Sequence, residues 1–97
     1  MNKRDLVESM AGDARITRVQ AARALEAFVR TVQSSLVNGD RVTLMGFGTF
    51  VVTHRKARRV REPRGGTTME IQARRVARFA AGQELRAALQ QSRRHDR

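Results

Sequence analysis

Residues 53–78 carry most of the positive charge of this 97-residue chain and limit what it can fold into. They hold nine arginines and lysines against two glutamates, which accounts for seven of the eleven net positive charges. The strand-forming runs on either side of the Pro63-Arg64-Gly65-Gly66 turn contain too few apolar residues to bury a core of their own. Because packed guanidinium groups repel one another unless a polyanion lies between them, the stretch predicts an arm that binds nucleic acid.

The basic side chains of this arm are the first candidate binding residues. They are Arg55, Lys56, Arg58, Arg59, Arg61, Arg64, Arg74 and Arg75, and Arg78 adds a ninth charge. A ribbon of about 12 residues at roughly 3.3 Å each reaches some 40 Å, enough to curl around a duplex. Pro63 at its tip is most simply a turn former, yet a rigid apolar ring on a basic ribbon is also what a wedge between base pairs requires.

The bulk composition indicates one small domain with a polyanionic partner. A chain this short buries a modest core, so oligomerisation is expected. The chain has no cysteine, which excludes disulfides and thiolate metal sites, and its pI is about 11.9. Attraction to phosphate backbones is therefore the first expectation, with RNA or an anionic membrane surface as the alternative. Because the sequence lacks a long apolar run and a signal-peptide pattern, we expect a soluble, intracellular protein.

The N-terminal half predicts a helical hairpin. Asn2 is placed to cap a first helix from Lys3 to about Gly12. Thr17 and Gln20 form a capping-box pattern that starts a longer helix, and Asn38-Gly39 ends it. The apolar stripes of both helices are read as core packing.

The second half predicts an antiparallel sheet that runs out into the arm. A short strand from Arg41 to Leu44 is followed by a glycine-bracketed turn and a second strand that starts at Thr49. A hairpin centred on Gly65 places cross-strand partners opposite each other, which gives the pairs Phe50 and Phe79, Arg55 and Arg74, Arg59 and Glu70, and Val60 and Met69. A third helix is expected from Gln83 to about Gln91, and the tail 92–97 is expected to be disordered.

Nothing in the pattern of reactive side chains favours catalysis. The histidines His54 and His95 lack metal-ligand spacing, and the carboxylates form no paired motif, so we expect no metal and no cofactor. The chain has neither Trp nor Tyr. Its phenylalanines are better explained as core than as a stacking platform, which argues against a single-strand or RNA-recognition sheet.

Several of these segments resemble the bacterial HU and integration host factor proteins over residues 1 to about 90. The resemblance is carried by Asn2-Lys3, Gly46-Phe47-Gly48-Thr49-Phe50, Arg61-Glu62-Pro63, and Ala73-Arg74-Arg75-Val76 through Phe79, Gly82 and Leu85. It implies an α+β fold: an intertwined homodimer with a helical base and a three-stranded antiparallel sheet extended into a flexible β-ribbon arm. On this basis residues 1–91 are one domain with the arm at 53–78, followed by the basic tail 92–97.

The resemblance also implies roles for individual residues. Pro63 is the expected intercalating wedge, with Arg61 beside it in the minor groove; this family is itself an example of that mechanism. Along the arm, near phosphates, the resemblance places Arg55, Arg58, Arg59, Arg74 and Arg75. Closer to the body and the flanking DNA it places Lys3, Gly46, Gly48 and Thr49. The expected dimer core is Phe47, Phe50 and Phe79.

Some positions depart from the family pattern. Glu62 stands where the family usually carries asparagine, and Gln83 where HU commonly carries lysine, so tip insertion and phosphate contact are expected to weaken. The expected function is a cytoplasmic, nucleoid-associated architectural protein that binds double-stranded DNA with low sequence specificity, as a homodimer or with a paralogous subunit. It needs no small-molecule ligand and no membrane. Site-specific bending in the manner of integration host factor, or binding of RNA or membrane, remain as alternatives.

Overall fold

A computed structural model describes residues 1–62 and 65–91 of the chain. The chain divides into two compact units, Met1–Ser35 and Leu36–Arg97. The described residues form three helices and five strands. In chain order these are α1 (Lys3–Ala14), α2 (Arg18–Val37), β1 (Val42–Leu44), β2 (Gly48–Arg55), β3 (Arg58–Arg61), β4 (Thr68–Ile71), β5 (Arg74–Ala81) and α3 (Gln83–Gln91).

Both predicted helix caps of the first unit are confirmed. The Asp5 amide donates to Asn2 Oδ1 at 2.9 Å, and the Asn2 amide donates to the Asp5 carboxylate at 3.3 Å. At the start of α2, the Gln20 amide donates to Thr17 Oγ1 at 3.0 Å, and the Thr17 amide donates to Gln20 Oε1 at 2.9 Å. These reciprocal bonds satisfy amides that the helix itself leaves without acceptors. α1 continues two residues beyond the predicted end at Gly12.

The first unit buries only a small core. Val7 and Ala11 of α1 and Ala21 of α2 form the buried cluster. The partly buried residues packed against it are Met10, Ala22 and Leu25. This contact between the two helices confirms the predicted helical hairpin. Two of its three buried side chains are alanines, so it removes little apolar surface from water.

The second unit contains a three-stranded antiparallel sheet with strand order β1-β2-β5. Phe50 pairs with Phe79 and Arg55 with Arg74, which confirms the predicted register. Phe79 packs its ring against those of Phe47 and Phe50, with both centroid separations 5.0 Å. Yet Phe47 is 45% exposed and Phe79 40% exposed. The aromatic cluster of the sheet is therefore only half covered by its own chain.

The outer part of the arm is a separate two-stranded sheet, the arm sheet, made of β3 and β4. It keeps the register of the larger sheet, since Arg59 pairs with Glu70 and Val60 with Met69. The pairing stops between the two sheets, at residues 56–57 on one side and 72–73 on the other. The sequence predicted one continuous ribbon. The structure instead has two separately paired sheets with the same register, and residues 56–57 and 72–73 between them are unpaired.

Candidate nucleic-acid interface

The arm sheet presents unpaired positive charge to solvent. All residues of β3 are exposed, and so are those of β4 except Ile71, which is intermediate. Both salt bridges of the described residues, Lys3 with Glu26 and Arg18 with Glu8, lie in the first unit. Within residues 1–62 and 65–91, the side chains of Arg58, Arg59 and Arg61 make no hydrogen bond or ion pair. Even Glu70, opposite Arg59 in the register, forms no ion pair with it. The arm thus holds charge that no ion pair within residues 1–62 and 65–91 neutralises.

Four of the predicted binding residues meet where the two ladders are interrupted. A recess of about 310 Å³ opens there, and it is lined by Arg55, Lys56, Arg58, Ile71, Gln72 and Arg74. Guanidinium groups bind phosphate oxygens through paired, charge-assisted hydrogen bonds, and lysine adds a point charge. The arrangement suits a phosphate of a nucleic-acid backbone. Sequence reasoning missed Gln72, because a lone glutamine in a basic strand carries no recognisable signal.

The tip of the arm is closed by Glu62 and Thr67. The Glu62 amide donates to the Thr67 carbonyl at 2.8 Å, and Thr67 Oγ1 donates to Glu62 Oε1 at 2.8 Å. The carboxylate therefore has a partner inside the turn, and its predicted repulsion of phosphate stays a prediction. Pro63 and Arg64 lie outside the described residues, so the wedge at Pro63 and the phosphate contact at Arg64 stay predictions.

Arg75 differs from its neighbours on the arm. Its Nη2 donates to the carbonyl oxygens of Leu36 and Val37, both at 2.9 Å. The resemblance placed this side chain near phosphates. In the free chain it is hydrogen-bonded to backbone oxygens at the end of α2, a contact that no sequence pattern predicts, and its phosphate contact stays a prediction.

The glycine-bracketed turn is built around Phe79. Gly46 adopts a φ of 83°, a left-handed conformation that favours glycine, and the Phe47 amide closes the turn on Leu44 at 2.9 Å. Gly48 is buried, and a Cβ placed on it would lie 2.5 Å from Cζ of Phe79 and 2.6 Å from the Ala80 carbonyl oxygen. This explains the second glycine by packing of the ring; its predicted place near DNA stays a prediction.

Thr49 and Lys3, the other predicted residues of the body, both make contacts within their own units. Thr49 Oγ1 lies 3.3 Å from Thr43 Oγ1 on the neighbouring strand. Lys3 Nζ lies 3.4 Å from Glu26 Oε2, and both side chains are largely exposed. An exposed pair of this kind contributes at most about 1 kcal/mol, so it leaves the lysine available to a stronger anion.

Comparisons with known proteins agree on one family. The family model described as bacterial DNA-binding protein matches residues 1–90. The DNA-binding protein HU-alpha of Vibrio cholerae is 46% identical over 89 residues, which cover 92% of this chain and 99% of that protein. HU-beta of Salmonella typhimurium is 45% identical over the same length, covering 92% of this chain and 99% of that protein. Among solved structures, an Anabaena HU–DNA cocrystal structure matches with a TM-score of 0.83 and 43% identity, covering 92% of this chain and 97% of that chain.

Proposed function

The chain belongs to the HU family of bacterial DNA-binding proteins, and we propose that it is an architectural protein that bends and compacts duplex DNA with little dependence on sequence. It is a structural DNA-binding protein rather than an enzyme, as its relatives are. The observation that carries the proposal is the exposed arm sheet, whose arginines have no partner in the described residues. Such a surface gains a large electrostatic stabilisation only when a polyanion approaches.

The arm supports recognition of shape and charge rather than of base edges. Each arm strand is four residues long, and the register continues from the sheet, so the ribbon is narrow and extended. The minor groove offers a degenerate hydrogen-bonding pattern, and arginine inserted there responds to groove width and deformability. We place the arm in that groove, with phosphates along its sides and Pro63 as the wedge at the tip, as in the mechanism this family exemplifies. The proposed phosphate contacts of the arm are Arg55, Lys56, Arg58, Arg59, Arg61, Arg64 and Arg74.

The exposed apolar side chains support a dimer. Among the described residues, the buried hydrophobic ones are Val7, Ala11, Ala21 and Val32. The first unit has an apolar recess of about 440 Å³ lined by Leu6, Leu25 and Val29 together with Lys3, Glu26 and Arg30. In the second unit the rings of Phe47 and Phe79 remain nearly half exposed. A second subunit, identical or paralogous, would cover this apolar surface and supply the core that one chain lacks.

The remaining assignments follow from the same proposal. We propose residues 1–91 as one DNA-binding domain, with Lys3 and the turn at Gly46, Gly48 and Thr49 near the flanking duplex. The tail 92–97 lies outside the described residues, and its arginines are proposed to add phosphate contacts. The proposed location is the bacterial cytoplasm, in association with the nucleoid. Among the described residues, no helix is both long and apolar enough to cross a membrane.

The decisive experiment is a titration of the purified protein against linear and nicked duplexes of equal length at two salt concentrations. End-to-end energy transfer reports the bend. We expect bending, a preference for the nicked duplex and a steep salt dependence, because each neutralised phosphate contributes about 0.9 to the log-log slope. A footprint confined to one sequence would instead indicate a site-specific bending protein. Equal affinity for RNA or for anionic vesicles would contradict the architectural function.

Pro63→Ala tests the wedge separately from phosphate attraction. We expect the variant to keep its salt slope, since no charge is lost, and to bend DNA less, since the rigid ring is gone. The measurement is the energy-transfer efficiency at saturating protein. A bend angle equal to that of the unsubstituted protein would assign Pro63 to turn formation alone.

A further inference from the structure

The C-terminus of α2 lacks a cation of its own. A helix leaves its last four carbonyl oxygens without intrahelical donors, and it carries a partial negative charge there. α2 ends at Val37 and has no basic residue in its last turn. The Gly39 amide donates to the Leu36 carbonyl at 2.9 Å, which supplies one of the missing donors.

Arg75 supplies donors to the last two carbonyl oxygens of α2 from a distant strand. Its Nη2 lies 2.9 Å from both the Leu36 and the Val37 carbonyl oxygens, although it is 39 and 38 residues away in sequence. A guanidinium at a helix C-terminus combines a charge-assisted hydrogen bond with a favourable interaction with the helix dipole. The contact therefore ties β5 to the end of α2.

The contact between Arg75 and α2 matters because of where Arg75 lies in the sheet. Arg75 pairs with His54, and the next pair, Arg55 with Arg74, is the last before the ladder stops. The arm sheet begins beyond the interruption, at the pair Arg58 with Ile71. The contact with α2 is thus made one residue pair before the three-stranded sheet ends.

Arg74 provides the contrast. Successive residues of a strand point to opposite faces, so neighbouring arginines meet different surroundings. Arg74 lines the recess at the interruption and makes no hydrogen bond or ion pair within the described part of the chain. Of these two adjacent arginines, Arg75 therefore binds backbone carbonyl oxygens, and Arg74 is available to bind an anion.

We propose that Arg75 is a positioning residue that anchors the base of the arm to the end of α2, and that it acts on DNA bending through this anchor rather than by binding phosphate. The effect on bending rests on the proposed function. The anchor itself does not, because it can be measured in the free protein.

The first test is hydrogen exchange of the free protein, with Arg75→Gln compared with Arg74→Gln. We expect exchange of the amides in 53–55 and 74–76 to accelerate about tenfold in Arg75→Gln, the factor that corresponds to roughly 1.4 kcal/mol for a charged hydrogen bond. Arg74→Gln is expected to leave these rates within about twofold. Equal protection in the two variants would overturn the anchor, whether or not the protein binds DNA.

The second test uses the same two variants on a duplex. At saturating protein, and at a temperature where both are folded, we expect Arg75→Gln to lower the mean bend and broaden its distribution while the log-log salt slope stays unchanged. Arg74→Gln is expected to lower the slope by about 0.9, the value for one phosphate contact. A loss of slope in Arg75→Gln as large as that in Arg74→Gln, or an unchanged bend, would overturn the positioning role.

A conservative variant keeps the proposal testable if Arg75→Gln does not fold. Lysine retains a nitrogen donor for the same carbonyls, so Arg75→Lys should keep most of the protection and most of the bend. If Arg75→Lys folds but loses both, the anchor is overturned. If the unsubstituted protein fails to bind DNA, the proposed function fails, and the exchange experiment still decides the anchor.

Discussion

The two sheets of the second unit share one register and differ in what they bury. In the sheet of β1, β2 and β5, Phe79 packs against two other aromatic rings. In the arm sheet, Val60 and Met69 face each other in the same register, yet they are 38% and 56% exposed. Strand pairing therefore does not depend on a core here. Burial decreases along the strands towards the arm while the register stays the same.

The same comparison separates the charges that support the fold from those left for a ligand. In the three-stranded sheet, Arg75 donates hydrogen bonds to backbone carbonyl oxygens of the same chain. In the arm sheet, Arg58, Arg59 and Arg61 have no such use among the described residues. Charged side chains without a partner in their own protein are expected at functional sites, because there the sequence is selected for binding a ligand as well as for folding.

The largest effect expected from this comparison is on the aromatic cluster. Phe79→Ala should lower the free energy of unfolding by about 3 kcal/mol, because it removes both ring contacts; the low end of the range for core phenylalanines applies, since Phe79 is partly exposed. Met69→Ala is the matched control in the arm sheet and should change it by less than about 0.5 kcal/mol. Urea unfolding followed by circular dichroism measures both. Equal losses would show that the arm sheet has a core of its own.

Gly48→Ala tests, with one added methyl group, how tightly the aromatic cluster of the three-stranded sheet is packed. The added Cβ would collide with the Phe79 ring and the Ala80 carbonyl, so a loss of about 1–3 kcal/mol is expected from overpacking. Gly12 has nothing within 4 Å of its added Cβ and lies in α1, so Gly12→Ala should stabilise by roughly 0.5–1 kcal/mol. Thermal unfolding of the two variants should shift in opposite directions. A neutral Gly48→Ala would mean that the ring can move aside.

The smallest effect is expected at the arm tip. Glu62→Gln keeps an amide oxygen that can accept from Thr67 and removes one negative charge from a basic surface, so DNA binding should tighten roughly threefold at low salt. Thr67→Val removes the hydroxyl partner and keeps the carboxylate, and it is expected to leave affinity unchanged or slightly weaker. Fluorescence anisotropy at two salt concentrations compares them. Weaker binding by Glu62→Gln would mean that the carboxylate matters chiefly to the turn.

Local patterns predicted most of the fold. The caps at Asn2 and Thr17 follow from short side chains at fixed spacings, and the pairing of Phe50 with Phe79 follows from a turn centred on Gly65. The charge of the arm predicted nucleic-acid binding and the family resemblance assigned the arm to the minor groove, and both assignments stay predictions. These features depend on residues close in sequence or on one symmetric hairpin, so the sequence alone contains what is needed.

The features that were missed depend on tertiary geometry. Alternation of side chains does not indicate where a ladder stops, so the unpaired segments at 56–57 and 72–73 were not predicted. The hydrogen bonds of Arg75 join β5 to the end of α2, and an arginine in a basic strand looks the same whether it meets carbonyls or phosphate. The hydrogen bond between Glu62 and Thr67 could not be predicted without the three-dimensional geometry of the arm tip.

The interruption between the two ladders has a mechanical consequence. Bending a paired ribbon requires strained or broken cross-strand hydrogen bonds, whereas the segments at 56–57 and 72–73 have no paired positions to strain. Rotation about a few backbone dihedrals there can reorient the arm while both ladders stay intact. If the arm binds DNA as proposed, such a joint would let it follow duplexes of different curvature without breaking either ladder.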